Sequence, residues 1–175
     1  ERVDAAATMS DADGTFSLQH VRLDTAHTLV VMADGFALNV RLVAEGLSNV
    51  GTIVLADGCS LGGRLVNANN DGISDGLVCI ASESLRSLAK EARSQVEQSL
   101  NAFAVYKKRT SNGGYFGFAN LPAGSYEVSA HVDGFPEIKS TVALVPHVDQ
   151  FEILQVQEGL AITGYLVDRD GLAVL

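Results

Sequence analysis

Tryptophan is absent from this chain of 175 residues, and aromatic residues make up only 6% of it. A surface that binds flat ligands by ring stacking therefore has few residues to draw on. Cysteine occurs twice, at Cys59 and Cys79, with no CxxC pair and no histidine at ligand spacing, so neither a zinc site nor a redox motif is indicated. Positive charge is scarce as well: 12 lysines and arginines stand against 21 aspartates and glutamates, a net charge of −9. That balance repels a phosphate backbone and disfavours adsorption to anionic lipid. Neither nucleic acid nor membrane contact is expected, and Lys107-Lys108-Arg109, the single basic run, sits where a strand should begin and reads as a solvated strand end. No window approaches the ~18 apolar residues of a membrane helix, and Glu1-Arg2-Val3-Asp4 shows no signal-peptide pattern.

Chemistry-bearing motifs are equally sparse. The histidines, His20, His27, His131 and His147, form no HxH or HExxH spacing, and no serine is read as a catalytic nucleophile. No catalytic, cofactor-binding or metal-ligating residue is assigned, and the chain is expected not to be an enzyme and to take no cofactor. Asp11-x-Asp13-Gly14 and Asp168-x-Asp170-Gly171 look like the opening of a calcium loop. The closing glutamate is missing after Asp11, where Arg22 stands, and hairpin turns account for both dipeptides.

What the chain does contain is repetition. Ser10 to Leu18 is echoed by Ser111 to Phe118, Asp34-Gly35-Phe36 by Asp133-Gly134-Phe135, and Gly58 through Val66 by Gly159 through Val167. Gly14 maps to Gly114, Gly35 to Gly134 and Gly58 to Gly159, so a unit of about a hundred residues is reused. The expected organisation is a partial repeat over 1–57, a complete repeat over 58–158 and the first strand of a further repeat over 159–175.

Apolar and polar residues alternate with period two through most of the chain, which predicts an all-β fold of half-buried strands. The clearest run is Tyr126 to Val132, with Tyr126, Val128, Ala130 and Val132 on one face and Glu127, Ser129 and His131 on the other. Further strands are expected at Thr15–Gln19, Thr28–Ala33, Leu38–Val43, Gly51–Leu55, Leu61–Val66, Leu77–Ala81, Phe103–Tyr106, Tyr115–Ala119, Glu137–Leu144, Gln150–Val156 and Ala161–Val167. A hairpin around Asn69-Asn70-Asp71-Gly72 would set Cys79 opposite roughly residue 64, too far from Cys59 for an easy disulfide. Cys79 then reads as a small core residue alternating with Leu77 and Ala81. One stretch breaks the pattern: Leu85, Leu88, Ala89, Ala92, Val96 and Leu100 fall at helical spacing. This predicts an amphipathic helical insertion near 84–101 that covers a sheet edge or one end of the core.

The order of these features resembles the carboxypeptidase regulatory-like, or prealbumin-like, domain. It is carried by Gly63-Arg64-Leu65-Val66, Asp71-Gly72, Gly76 to Ile80, Thr110 to Phe118, Leu121-Pro122-Ala123-Gly124-Ser125-Tyr126 and Gly134-Phe135. The resemblance covers most of 58–158 and implies a seven-strand β-sandwich, a non-catalytic module often strung in tandem in secreted or surface proteins. Phe116, Phe118, Leu121, Tyr126 and Phe135 are the expected core anchors, with Phe16, Leu18 and Phe36 their counterparts in the first unit. The expected function is a structural or adhesive spacer in a large extracellular, cell-surface or periplasmic protein. Its partners would be neighbouring repeats of the same chain and a glycan or protein ligand. The alternatives are a glycan- or peptide-binding sandwich, disfavoured by the shortage of aromatics outside the core, or an accessory domain of a larger peptidase or outer-membrane receptor.

Overall fold

The computed structural model describes residues 6–91, 105–159, 163–170 and 172. Along them run β1 (His27–Val31), β2 (Asn39–Val43), β3 (Cys59–Val66), β4 (Leu77–Ser82), α1 (Glu83–Glu91), β5 (Val105–Arg109), β6 (Tyr115–Leu121), β7 (Gly124–His131), β8 (Ile138–Leu144) and β9 (Gln150–Gln155). The fold is all-β, as the alternation predicts. No described helix is long and apolar enough to cross a membrane.

β3 to β9 make a seven-strand sandwich. One sheet has the order β6-β3-β9, with β9 parallel to β3, and the other is the antiparallel sheet β5-β4-β7-β8. Every second residue of each strand points between the sheets. Leu61 and Leu65 of β3, Val78 and Ile80 of β4, Phe116 and Phe118 of β6, Tyr126 and Val128 of β7, Val142 of β8 and Leu154 of β9 meet there as one cluster. The expected anchors Phe116, Phe118, Leu121 and Tyr126 are buried, and Phe135 packs against the cluster half-buried.

Several expectations are corrected. β3 and β4 do not pair: they lie in opposite sheets, and β3 instead meets the connection between them, through a bridge between Val66 and Gly72 and the Ile73 N–H donated to Leu65 C=O at 2.9 Å. The connection is pinned by Asn67, whose Oδ1 accepts the N–H groups of Asn69 and Asp71, each at 2.9 Å. Cys79 consequently lies between Lys107 and Ser129 in the sheet register, on the outward side, while Val78 and Ile80 face the core. The core phase of this strand is one residue off the expected one. The reason is physical, since Leu77-Val78-Cys79-Ile80-Ala81 is apolar at every position and leaves both phases open. Cys59 and Cys79 are both free. Lys107-Lys108-Arg109, by contrast, forms the solvated end of β5, as expected. Because β5 is an edge strand, these charges shield an exposed row of backbone groups from pairing.

The expected helix is present from Glu83, and its part beyond Glu91 lies outside the described residues. It starts where β4 stops because Ser82 caps it, its hydroxyl accepting the Leu85 N–H at 3.3 Å. The helix meets β7, a central strand, rather than an edge: Arg86 reaches the outward-facing Glu127 at 3.5 Å.

Residues 6–57 carry only the β1–β2 hairpin, and neither Thr15–Gln19 nor Gly51–Leu55 is a strand. A two-stranded sheet without a second layer cannot bury large side chains. Phe16 and Phe36 are therefore exposed and Leu18 only half-buried, against expectation. Of Ala161–Val167, residues 163–166 lie outside any strand, and 161–162 are outside the described residues.

Repeated sequence nonetheless carries repeated geometry. Asp11 N–H donates to Thr15 C=O at 2.8 Å and Gly14 N–H to Asp11 C=O at 2.9 Å; Ser111 to Tyr115 and Gly114 to Ser111 repeat this, both at 2.9 Å. Gly14 and Gly114 share a φ of 82°. The pairing of His27 with Val43 through Val31 with Asn39 recurs as Tyr126 with Val142 through Ala130 with Ile138. The Asn67 cap recurs too, with Asp168 Oδ1 accepting the N–H groups of Asp170 at 3.0 Å and Leu172 at 2.8 Å.

Candidate functional site: a joint and an open sheet face

The Asp34-Gly35-Phe36 turn docks the first hairpin onto the sandwich. Gly35 C=O accepts the Gly58 N–H at 3.0 Å, Ala37 N–H donates to Ala56 C=O at 2.8 Å, and Leu38 N–H donates to Asn120 C=O at 3.0 Å. Gly58 is dictated by space, because a Cβ there would stand 3.0 Å from Asn120 Cα and 3.2 Å from Gly35 O. Close by, His147 Nε2 lies 3.2 Å from the Asp57 carboxylate. A cleft of about 320 Å³ opens along this joint, lined by Met32, Asp34, Phe36, Leu38, Tyr106 and Asn120 among others. The Tyr106 hydroxyl is buried without a hydrogen-bond partner among the described residues, and burial pushes its pKa up.

Two polar side chains hold the sandwich behind the joint. Tyr126 is fully buried and donates its hydroxyl to Pro122 C=O at 2.9 Å, tying β7 to the turn that precedes it. Burial, and secondarily the neighbouring Tyr106, pushes the Tyr126 phenol far above its ordinary range. Thr110 Oγ1 accepts the Gly76 N–H at 2.9 Å and donates to Ile73 C=O at 2.6 Å, so it closes the β3–β4 connection against the β5–β6 turn. The motif positions Thr110, Pro122 and Tyr126 are thus structural.

The outward face of the β6-β3-β9 sheet has a different composition. In register across it, Arg64 lies between Tyr115 and Ile153, and Gly62 lies between Gly117 and Phe151. Tyr115, Phe151 and Ile153 are 53%, 58% and 64% exposed, which makes this an open apolar face rather than a solvated one. Arg64 Nε donates to Gly113 C=O at 2.8 Å, and its guanidinium sits 5.2 Å from the centre of the Tyr115 ring. The shortage of aromatics outside the core, expected from composition, does not hold here. Phe151-Glu152-Ile153-Leu154 offers apolar residues in both phases, so periodicity did not reveal that Phe151 faces outward.

The motifs weighed as possible chemistry are placed as follows. Asp13 Oδ1 accepts the Thr15 N–H at 2.9 Å and its hydroxyl at 2.8 Å, and these bonds lower its pKa. Its carboxylate, like that of Asp168, serves its own turn. His131 lies 3.7 Å from Asp133 and is exposed, and His27 bonds to Arg22 C=O. Among the described residues no group of three or more His, Cys, Asp or Glu side chains converges as a metal site would require.

No protein-family model matches the chain, and neither does any curated protein. Solved structures similar to it include 3-chlorocatechol 1,2-dioxygenase from Rhodococcus opacus, at 11% identity and a TM-score of 0.45, over 59% of this chain and 60% of that one. Hydroxyquinol 1,2-dioxygenase from Pseudomonas putida is similar at 7% identity and a TM-score of 0.46, over 90% and 69% of the two chains. The minor pilin of Streptococcus agalactiae is similar at 13% identity and a TM-score of 0.40, over 75% and 57%. The chain spans less than two thirds of the first of these. At such scores the likenesses assign neither activity nor partner. They do correct one expectation: dioxygenases stand among the similar structures, so the exclusion of enzymatic activity is withdrawn.

Proposed function

We propose that the chain is a stretch of a tandem β-sandwich array of the carboxypeptidase regulatory-like kind, with 58–158 a complete unit, 1–57 the later part of the unit before it and 159–175 the opening of the next. The array forms a structural and adhesive stalk of a large secreted or surface-exposed protein. Each unit is held by its own core, and neighbouring units are its first partners. The observation that carries this reading is the recurrence of turn hydrogen bonds, glycine φ and hairpin register one unit apart. The joint supports it, because two backbone hydrogen bonds across it, Gly58 to Gly35 and Leu38 to Asn120, and a glycine with no room for a side chain resist bending there. Gly159, the counterpart of Gly58, likewise lies beside the segment after the Gly134 turn, where an added Cβ would stand 3.5 Å from Pro136 Cδ.

Small-angle X-ray scattering of proteins carrying two, three and four such units tests the stalk. A rod whose maximum dimension grows by about 30 Å per unit, roughly a strand with its end turns, is expected. Units that scatter as a compact or freely jointed particle would contradict it.

A further inference from the structure

We propose that the outward face of the β6-β3-β9 sheet binds a saccharide bearing a carboxylate, a role that goes beyond the stalk and does not depend on it. Three features converge. The floor of the face is backbone, covered by a side chain at Gly62 and bare at Gly117: the two glycines lie side by side in register, and a Cβ on Gly117 would meet nothing within 4 Å. A ligand ring can therefore approach the sheet itself. Phe151 leans over Gly62, its ring carbon 3.4 Å from where a Cβ would stand, and Tyr115 flanks the other side. Both rings are more than half exposed and offer apolar surfaces to the C–H face of a pyranose. Arg64 supplies the charge. Its Nε is committed to Gly113 C=O and its plane to Tyr115, while its two terminal nitrogens have no partner among the described residues. An arginine so held loses little freedom in taking a carboxylate by two parallel hydrogen bonds.

Charge and size select the occupant. On a chain of net charge −9, Arg64 is a cation on this face without an acidic partner among the described residues, so its complement is an anion. Asp149, just before β9, accepts the Ser60 hydroxyl at 2.9 Å. Three exposed apolar side chains interleaved with glycines and an arginine are too little for a stable protein interface, which buries about 800 Å² per partner. They match the footprint of one or two sugar rings.

Isothermal titration of the full chain with oligogalacturonate, sialyllactose, hyaluronan and heparin oligosaccharides, each beside a neutral counterpart, tests the site. At least one acidic saccharide should bind, with its neutral counterpart about tenfold weaker or more. Arg64→Gln should weaken binding about tenfold, and Phe151→Ala about threefold to tenfold. Gly117→Val, which fills the floor without crowding the fold, should abolish binding at an unchanged melting temperature. Binding by none of the four, equal binding of neutral sugars, or binding that survives both Arg64→Gln and Gly117→Val would overturn the proposal.

Discussion

At the scale of single residues, stability rests on a few buried polar groups whose partners are backbone atoms. Thr110 satisfies one donor and one acceptor in a buried corner. Thr110→Val leaves both unpaired and should cost about 1–3 kcal/mol in urea unfolding, whereas Thr8→Val, at an exposed position, should cost nothing measurable. Tyr126 and Tyr106 make stability depend on alkali. Burial keeps both phenols neutral in the folded chain, while the unfolded chain ionises near the ordinary tyrosine pKa of about 10. Their raised folded pKa values mean that this stability is complete below about pH 10 and is lost as pH rises towards those values. Cys59, also raised by burial, adds to the same loss from about pH 9. Stability should therefore hold between about pH 6 and 8 and fall steeply above about 10, and Tyr126→Phe should flatten the fall. An unchanged slope in that variant would show that the phenol is not the group responsible.

At the scale of elements, glycines divide into those the fold cannot replace and those it leaves open. A Cβ on Gly63 would stand 2.2 Å from Phe116 Cζ and 2.5 Å from Glu152 O, inside the sandwich. Gly63→Ala should cost about 1–3 kcal/mol or more. Gly117→Ala, whose added Cβ would meet nothing within 4 Å, should be neutral or slightly stabilising, and thermal melts of the two variants would separate them. Strand positions in 58–158 were legible in the sequence where one phase was polar, as in Tyr126 to Val132. Where that contrast failed, the reading failed: the uniformly apolar β4 hid its phase, and Asn69-Asn70-Asp71-Gly72 looked like a hairpin turn although it crosses between sheets. The open face was illegible for a related reason. Its character comes from two glycines set side by side by long-range register between β3 and β6, which local spacing does not encode.

At the scale of the whole molecule, the contrast between 58–158 and 6–57 follows from layers. The former holds two sheets facing each other and buries its aromatic anchors, while the latter holds one hairpin and leaves Phe16 and Phe36 exposed although the motifs are shared. The same local sequence thus builds the same turn and register in both places, and only a second sheet makes a core of it. If the unit is the one proposed, residues 58–158 should not need 1–57 in order to fold. The most direct measurement is equilibrium unfolding of 58–158 alone, followed by urea with fluorescence and circular dichroism together. The account predicts one cooperative transition, coincident by both probes and at a midpoint close to that of the same segment in the full chain. A fragment that is unfolded, or that melts without cooperativity until 1–57 is restored, would contradict it.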